Sequence, residues 1–133
     1  SELGPDGHSD ADVLIHALMD AMLGAAGLRD IGYYFPPEDD QYKGISSMLL
    51  LEKVNFLLKE RGLQAYNIDI MVISETPKLK PHIDTMKANL QSVLEIPLER
   101  ISIKATTNEM LGAIGRREGI AAQAVVSVYE GEI

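Results

Sequence analysis

The first apolar stretch of the chain has the spacing of a helix that is hydrophobic almost all round. Ser9 or Asp10 can cap this helix, and Gly27 can end it. Seven large apolar side chains leave it no ordinary solvent-facing side: Val13, Leu14, Ile15, Leu18, Met19, Met22 and Leu23. We therefore expect the first helix to be buried over most of its circumference.

The rest of the pattern predicts one long loop, two helices and three strands. Residues 29–40 contain two prolines and no helical period, which indicates a loop. The elements predicted after it are helix 46–61, strand 67–74, helix 82–95, strand 100–107 and strand 119–129. Gly62 ends the second helix, whose predicted apolar face consists of Leu49, Leu50, Val54, Leu57 and Leu58.

The order of these elements, α-α-β-α-β-β, predicts an α+β fold with a mixed β-sheet and helices packed on one face. The strand–helix–strand unit over residues 67–107 should be a right-handed crossover. A chain of 133 residues fits a single domain, residues 1–133.

Composition and charge narrow the possible functions. The chain has no cysteine, so His, Asp and Glu are the side chains available to ligate a metal. The formal net charge of −8 has the wrong sign for non-specific binding to nucleic acid or to an anionic membrane. No signal peptide and no apolar run of membrane-spanning length is visible. These features favour a small-molecule substrate over nucleic acid or a membrane as the partner.

A polar stripe crosses the apolar first helix. Asp12, His16 and Asp20 are spaced by four residues, so they lie one above another on the same side of the helix. One interpretation is a core histidine held by the two carboxylates. The other is that His16 ligates a metal while a carboxylate orients its ring. The spacing leaves both interpretations open.

Two further groups are candidates for binding an anion. His8 and Ser9 come just before the predicted helix start, where free amides and the helix dipole favour a phosphate. A plain helix cap is the alternative. Arg116 lies in a glycine-flanked loop and is either an anion ligand or an ordinary surface arginine.

Polar residues also follow two predicted strands. Residues 74–80 lead from one strand end into a rigid turn, and residues 106–109 leave the next strand. The crossover should bring these two ends side by side. Backbone groups and lysines of the first could read a base and a phosphate, although a solvated turn is the alternative. Hydroxyls and a carboxylate of the second suit a phosphate with a divalent cation.

Four segments together resemble the 2-C-methyl-D-erythritol 2,4-cyclodiphosphate synthase family. They are HSDADVLIHALMDAMLGAAGLRDIG, FPPEDDQYKG, ETPKLKPHI and KATTNEMLGAIGRREGIAAQAV, and the resemblance covers essentially all 133 residues. It implies a homotrimer with active sites between subunits, in the bacterial cytoplasm or the plastid stroma.

The resemblance also implies the reaction, that of a cyclising phosphorus–oxygen lyase of non-mevalonate isoprenoid biosynthesis. The substrate is 4-diphosphocytidyl-2-C-methyl-D-erythritol 2-phosphate. Its 2-phosphate attacks the β-phosphate, which closes a 2,4-cyclodiphosphate and releases CMP. Such a reaction depends on positioning and charge neutralisation.

Site roles follow from the resemblance position by position. His16 would ligate Zn²⁺, and Glu109 would hold Mg²⁺ or Mn²⁺. His8 and Thr107 would stabilise the transition state, and Asp12 and Asp20 would orient His16 or the helix. The residues that would contact substrate or line the axial cavity are His8, Ser9, Asp30, Ile31, Gly32, Phe35, Pro36, Pro37, Glu38, Asp39, Ser74, Glu75, Thr76, Pro77, Lys78, Leu79, Lys80, Thr106, Thr107, Asn108, Glu109, Ala113 and Arg116.

The chain departs from the family pattern at three places. The sequence lacks the N-terminal strand pair whose Asp-x-His gives zinc its other two protein ligands. Ala113 stands where many relatives have a bulky aromatic residue, and Pro37 replaces a common acidic residue. Two other functions remain to be distinguished by experiment: a metal-dependent phosphohydrolase and a non-catalytic trimeric module that binds cytidine nucleotides.

Overall fold

The computed structural model describes residues 5–74, 80–106 and 120–131, with side chains from residue 11 onward. The described helices are α1 (Pro5–Ala25), α2 (Ile31–Tyr34), α3 (Ser47–Glu60) and α4 (Ile83–Leu94). The described strands are β1 (Leu63–Ile73), β2 (Ile101–Thr106) and β3 (Ala121–Glu130). Short 3₁₀ turns occur at Asp40–Tyr42, Lys80–His82 and Leu98–Arg100. These helices and strands follow the predicted order except for α2, a short helix within the predicted loop.

Helix α1 begins earlier than the sequence predicted. It starts at Pro5, so Ser9 and Asp10 lie inside the helix and the prediction that one of them caps it is wrong. Proline suits the first turn because its fixed φ is helical and its missing N–H has no partner there. The other end agrees with the prediction, since α1 stops at Ala25 and Gly27 takes a φ of 73°.

The three described strands form one mixed sheet in the order β2-β1-β3. Strand β1 pairs parallel with β2 and antiparallel with β3. It starts at Leu63, four residues before the predicted start, directly after Gly62 ends α3 with a φ of 72°. The long middle strand β1 therefore forms hydrogen bonds with both neighbouring strands, and its two ends lie at the two ends of the sheet.

The core lies between one face of this sheet and the helices. Its buried strand residues are Ile68, Ile70, Val72, Ile101 and Ile103, and its buried residues on α1 include Leu14, Leu18, Met19, Met22 and Leu23. Four small or branched side chains of β3 pack against the same cluster: Ala122, Ala124, Val126 and Val128. The predicted α+β architecture, a mixed sheet with helices, is confirmed.

Helix α3 is rotated relative to its predicted apolar face. Leu51, Val54 and Leu58 are fully buried, at the 3–4-residue spacing of an inward-facing stripe. Leu49 is 50 % exposed, so its assignment to the core was wrong. Five leucines and one valine in this helix give two overlapping apolar stripes, and packing against α1 selects the one that contains Leu51.

The outer face of the sheet is not covered by any described element. Val125 is 72 % exposed at its centre, and Met71 and Ile73 beside it are half-buried. The Lys104 ammonium lies 2.9 Å from a carboxylate oxygen of Asp69 on the same side. Among the described helices, none is long and apolar enough to cross a membrane.

Candidate functional site

Helix α1 has a solvent-facing side after all. Asp12, His16 and Asp20 are exposed along it, whereas six of the seven large apolar side chains are buried on the opposite side. The expectation that this helix has no solvent-facing side is therefore wrong, although its large apolar side chains are buried as expected, except for Val13, which is half-buried. The four-residue spacing of the polar residues concentrates them on one line and leaves the rest of the helix free to pack.

The two aspartates on this side of α1 form hydrogen bonds with neighbouring elements. A carboxylate oxygen of Asp12 accepts a hydrogen bond of 2.7 Å from the Ser47 hydroxyl at the start of α3. A carboxylate oxygen of Asp20 accepts one of 2.9 Å from the backbone N–H of Ile31 at the start of α2. Sequence reasoning had assigned both carboxylates to His16 or to the helix itself, and it missed these partners because they lie 35 and 11 residues away.

His16 lies exposed between these two attachments. The interpretation as a core histidine is wrong, since the ring is not buried and both carboxylates bind elsewhere. An exposed imidazole suits a zinc ligand, but a zinc site takes at least three protein ligands. The described residues contain no group of three His, Asp or Glu side chains that could hold a metal. His16 thus fits as one donor of a set that the described residues do not complete.

The 30–32 segment is held against α1 by the Asp20 hydrogen bond. Asp30 precedes α2 in an extended conformation, and its carboxylate makes no capping hydrogen bond to the helix. A Cβ built on Gly32 would lie 3.2 Å from a carboxylate oxygen of Asp30. Glycine at position 32 therefore leaves room for this carboxylate, which is exposed and available to a ligand hydroxyl.

The predicted long loop is more ordered than its sequence suggested. It contains α2 and a 3₁₀ turn, and the Phe35 and Tyr42 rings pack edge-to-face with centroids 5.2 Å apart. Asp39 is committed to this turn, because its carboxylate accepts hydrogen bonds from the Gln41 backbone and side-chain N–H groups. Phe35 and Pro36 are half-buried, whereas Pro37 and Glu38 are exposed. Of the five loop candidates, Asp39 has a structural role that sequence reasoning did not identify.

The two predicted strand ends do lie side by side. Ile73 pairs with Thr106 in the parallel register, and the backbone N–H of Ser74 donates a 2.9 Å hydrogen bond to the Thr106 carbonyl. Ser74 is buried and Thr106 is exposed. Carboxyl ends of parallel strands are a common place for ligands to bind.

Several candidate residues lie outside the part of the chain that the structure describes. His8 and Ser9 belong to the backbone of α1, within the helix and not before it, so the predicted position at its N-terminus is wrong; their side chains are outside the description. Lys80 is described and exposed at the start of a 3₁₀ turn. The candidates wholly outside the described residues are Glu75, Thr76, Pro77, Lys78, Leu79, Thr107, Asn108, Glu109, Ala113 and Arg116.

Comparisons with known proteins agree on one family. The model of the YgbB family matches residues 1–129. The chain belongs to the YgbB family. It is 58 % identical over 125 residues to 2-C-methyl-D-erythritol 2,4-cyclodiphosphate synthase of Nostoc punctiforme, which covers 94 % of this chain and 78 % of that protein. It is 59 % identical over 123 residues to the synthase of Synechococcus elongatus, covering 92 % of this chain and 77 % of that one.

Solved structures of similar proteins share the fold. The bifunctional IspDF protein of Campylobacter jejuni superposes with a TM-score of 0.85 at 43 % identity over 90 % of this chain. The chain spans about a third of that protein's length, 32 %. IspF of Plasmodium falciparum in complex with CDP superposes with a TM-score of 0.78 at 30 % identity, covering 90 % of this chain and 72 % of that one. The resemblance seen in the four sequence segments is thereby confirmed.

Proposed function

We infer that this chain is a cyclodiphosphate synthase subunit of isoprenoid biosynthesis, a cyclising phosphorus–oxygen lyase. It would convert 4-diphosphocytidyl-2-C-methyl-D-erythritol 2-phosphate to 2-C-methyl-D-erythritol 2,4-cyclodiphosphate and CMP. An oxygen of the 2-phosphate forms a bond to the β-phosphorus. The bond from that phosphorus to the oxygen bridging the α- and β-phosphates breaks, and CMP leaves with the bridging oxygen. This chemistry belongs in the bacterial cytoplasm or the plastid stroma.

The observation that carries this proposal is the pairing of the two strand ends at Ser74 and Thr106. It supports a nucleotide site in which residues 74–80 bind the cytosine and residues 106–109 bind the diphosphate. Relatives that cover most of this chain carry the synthase name, and one solved relative binds CDP. Both facts favour a cytidine nucleotide as the substrate.

The described side chains would act mainly by positioning. The exposed Asp30 carboxylate suits the ribose hydroxyls, and the Asp20 hydrogen bond to Ile31 holds this segment against α1. His8 and Thr107 would stabilise the charge that develops on the phosphates. A reaction between two parts of one bound molecule gains much of its rate from such orientation.

Two metal ions complete the proposal. His16 would contribute one ligand to Zn²⁺, and Glu109 would hold Mg²⁺ or Mn²⁺ near the phosphates. When bound, these ions would polarise the phosphoryl oxygens and neutralise their charge. The exposed His16 ring supports the first assignment.

The proposed assembly is a homotrimer with active sites between subunits. The uncovered face of the sheet supports self-association, because it presents an exposed Val125 beside the apolar side chains Met71 and Ile73. A partner that covered this face would remove apolar surface from water.

Product analysis tests the function. The full natural chain, incubated with the substrate, Zn²⁺ and Mg²⁺, should yield cyclic diphosphate and CMP in equal amounts by phosphorus NMR. Linear phosphates would identify a phosphohydrolase. CMP binding without any turnover would identify a non-catalytic nucleotide-binding module.

A further inference from the structure

An arginine and a tyrosine stack on each other beside the 30–32 segment. The guanidinium carbon of Arg29 lies 4.3 Å from the centroid of the Tyr33 ring. Tyr34 packs edge-to-face on the same ring, with centroids 4.9 Å apart. Arg29 is exposed and Tyr33 is 55 % exposed, so this pair is not part of the core. We call Arg29 and Tyr33 the clamp.

In the sequence, Arg29 comes directly before the 30–32 segment and Tyr33 directly after it. This segment is short and lies near the surface: α2 has only four residues and none of them is fully buried, although Ile31 and Tyr34 pack partly against the core. The Asp20 carboxylate fixes its Ile31 N–H from the α1 side. The clamp holds the two ends of the segment together, because Arg29 can stack on Tyr33 only when the residues between them form a turn.

The acidic sequence that precedes and follows the clamp gives a second reason for its presence. Residues 1–42 contain nine Asp and Glu side chains and a single Lys or Arg, which is Arg29. Asp30, next to it, leaves its carboxylate without a capping partner. A guanidinium held in place by Tyr33 therefore offsets negative charge where an anionic substrate has to approach.

We propose that Arg29 and Tyr33 are positioning residues that hold the 30–32 segment in the conformation that receives the ribose of the substrate. This inference rests on the proposed function and adds two residues to its site. The clamp acts on binding and not on the phosphoryl transfer itself, because neither side chain is assigned to the reacting phosphates. Its loss should therefore raise KM and leave kcat nearly unchanged.

The test compares two stacked pairs of the same kind. Tyr33→Leu removes the clamp, whereas Tyr33→Phe retains a ring. The matched control is Tyr66→Leu, because the Arg100 guanidinium lies 4.0 Å from the Tyr66 ring on β1, outside the proposed site. An exposed cation–π pair is weak, so Tyr33→Leu should raise KM and weaken CDP binding by about three- to fivefold. Tyr33→Phe and Tyr66→Leu should stay within about twofold of the wild type.

A double-mutant cycle with Arg29→Gln completes the experiment. If the two residues act as one clamp, Arg29→Gln combined with Tyr33→Leu should weaken CDP binding no more than Arg29→Gln alone, which removes both the stack and the charge. Two results would overturn the inference: additive effects of the two substitutions on CDP binding, or a Tyr33→Leu effect no larger than that of Tyr66→Leu. Either result would leave the proposed function intact as long as the wild type turns over the substrate. A wild-type protein that neither binds CDP nor releases CMP would overturn both.

Discussion

At the scale of single residues, the exposed line on α1 joins three parts of the molecule. Asp12 binds the start of α3, Asp20 binds the start of α2, and His16 is exposed between them. The four-residue spacing predicted that these side chains share one side of the helix. It did not predict the hydrogen-bond partners of the two carboxylates, because those partners lie 11 and 35 residues away in the sequence. The same limit applies to Asp39, whose role in a 3₁₀ turn depends on a loop conformation that the sequence does not specify.

Replacing Asp20 should affect ligand binding more than stability. Asp20→Ala removes the acceptor of the Ile31 N–H, an exposed bond that should cost about 0.5–1.5 kcal/mol of unfolding free energy. CDP affinity should fall because the 30–32 segment loses its attachment, and Asp20→Asn, which keeps an acceptor oxygen, should restore most of it. Asp12→Ala is the control, since it breaks the bond to Ser47 and leaves Ile31 held. Urea unfolding and CDP titration measure both quantities, and equal CDP affinities for Asp20→Ala and Asp12→Ala would refute this role.

Gly32 and Gly24 offer a matched pair of substitutions. A Cβ at Gly32 would lie 3.2 Å from the Asp30 carboxylate, whereas one at Gly24 meets nothing within 4 Å. Gly32→Ala should therefore displace the carboxylate and raise KM by about threefold. Gly24→Ala, inside α1, should instead stabilise the protein by about 0.5–1 kcal/mol with KM unchanged. Steady-state kinetics and thermal unfolding check both, and a KM for Gly32→Ala equal to that of the wild type would contradict the account of Asp30.

At the scale of elements, local signals predicted the type of each element better than its limits. Alternating β-branched residues identified the middle of β1, but its first residues were missed. Leu63, Gln64 and Ala65 pair with the far end of β3, a contact that no local pattern encodes. Capping chemistry failed at α1, where Pro5 competes with Ser9 and Asp10, and the predicted second helix included Ser46, which the structure places as the cap of α3.

The cap of α3 gives a prediction at this scale. The Ser46 hydroxyl oxygen accepts hydrogen bonds from the backbone N–H groups of Met48 and Leu49, at 3.1 and 3.4 Å. Ser46→Ala should lower the unfolding free energy by about 1 kcal/mol, and Ser46→Asp should retain it. Urea titration measures the difference. Equal stability of the alanine and aspartate variants would mean that the cap contributes little to α3.

At the scale of the whole molecule, the one-sided sheet indicates where copies of the chain should meet. The helices cover its inner face, and its outer face presents Val125, Met71 and Ile73 with the Lys104 and Asp69 ion pair. The apolar first helix gives no such indication, because its large apolar side chains are already buried within the single chain. The exposed apolar side chains on the sheet supply the better argument.

A charge at the centre of this face should break the proposed trimer. Val125→Asp should shift the mass measured by light scattering from three subunits towards one, because a buried unpaired carboxylate is costly. Phe56→Asp is the control, since Phe56 is 61 % exposed on α3 and lies on the helix side of the molecule. Retention of the wild-type mass by Val125→Asp would exclude the outer sheet face as the interface.

In the proposed reaction, two parts of one bound substrate react with each other and water does not. The most direct measurement is the reaction of the full natural chain in heavy-oxygen water, with the products analysed by mass spectrometry. Cyclisation predicts CMP and a cyclic diphosphate that both lack the heavy isotope, since the attacking oxygen comes from the substrate's own 2-phosphate. Heavy oxygen in the phosphates of either product would show that water is the nucleophile and would contradict the account.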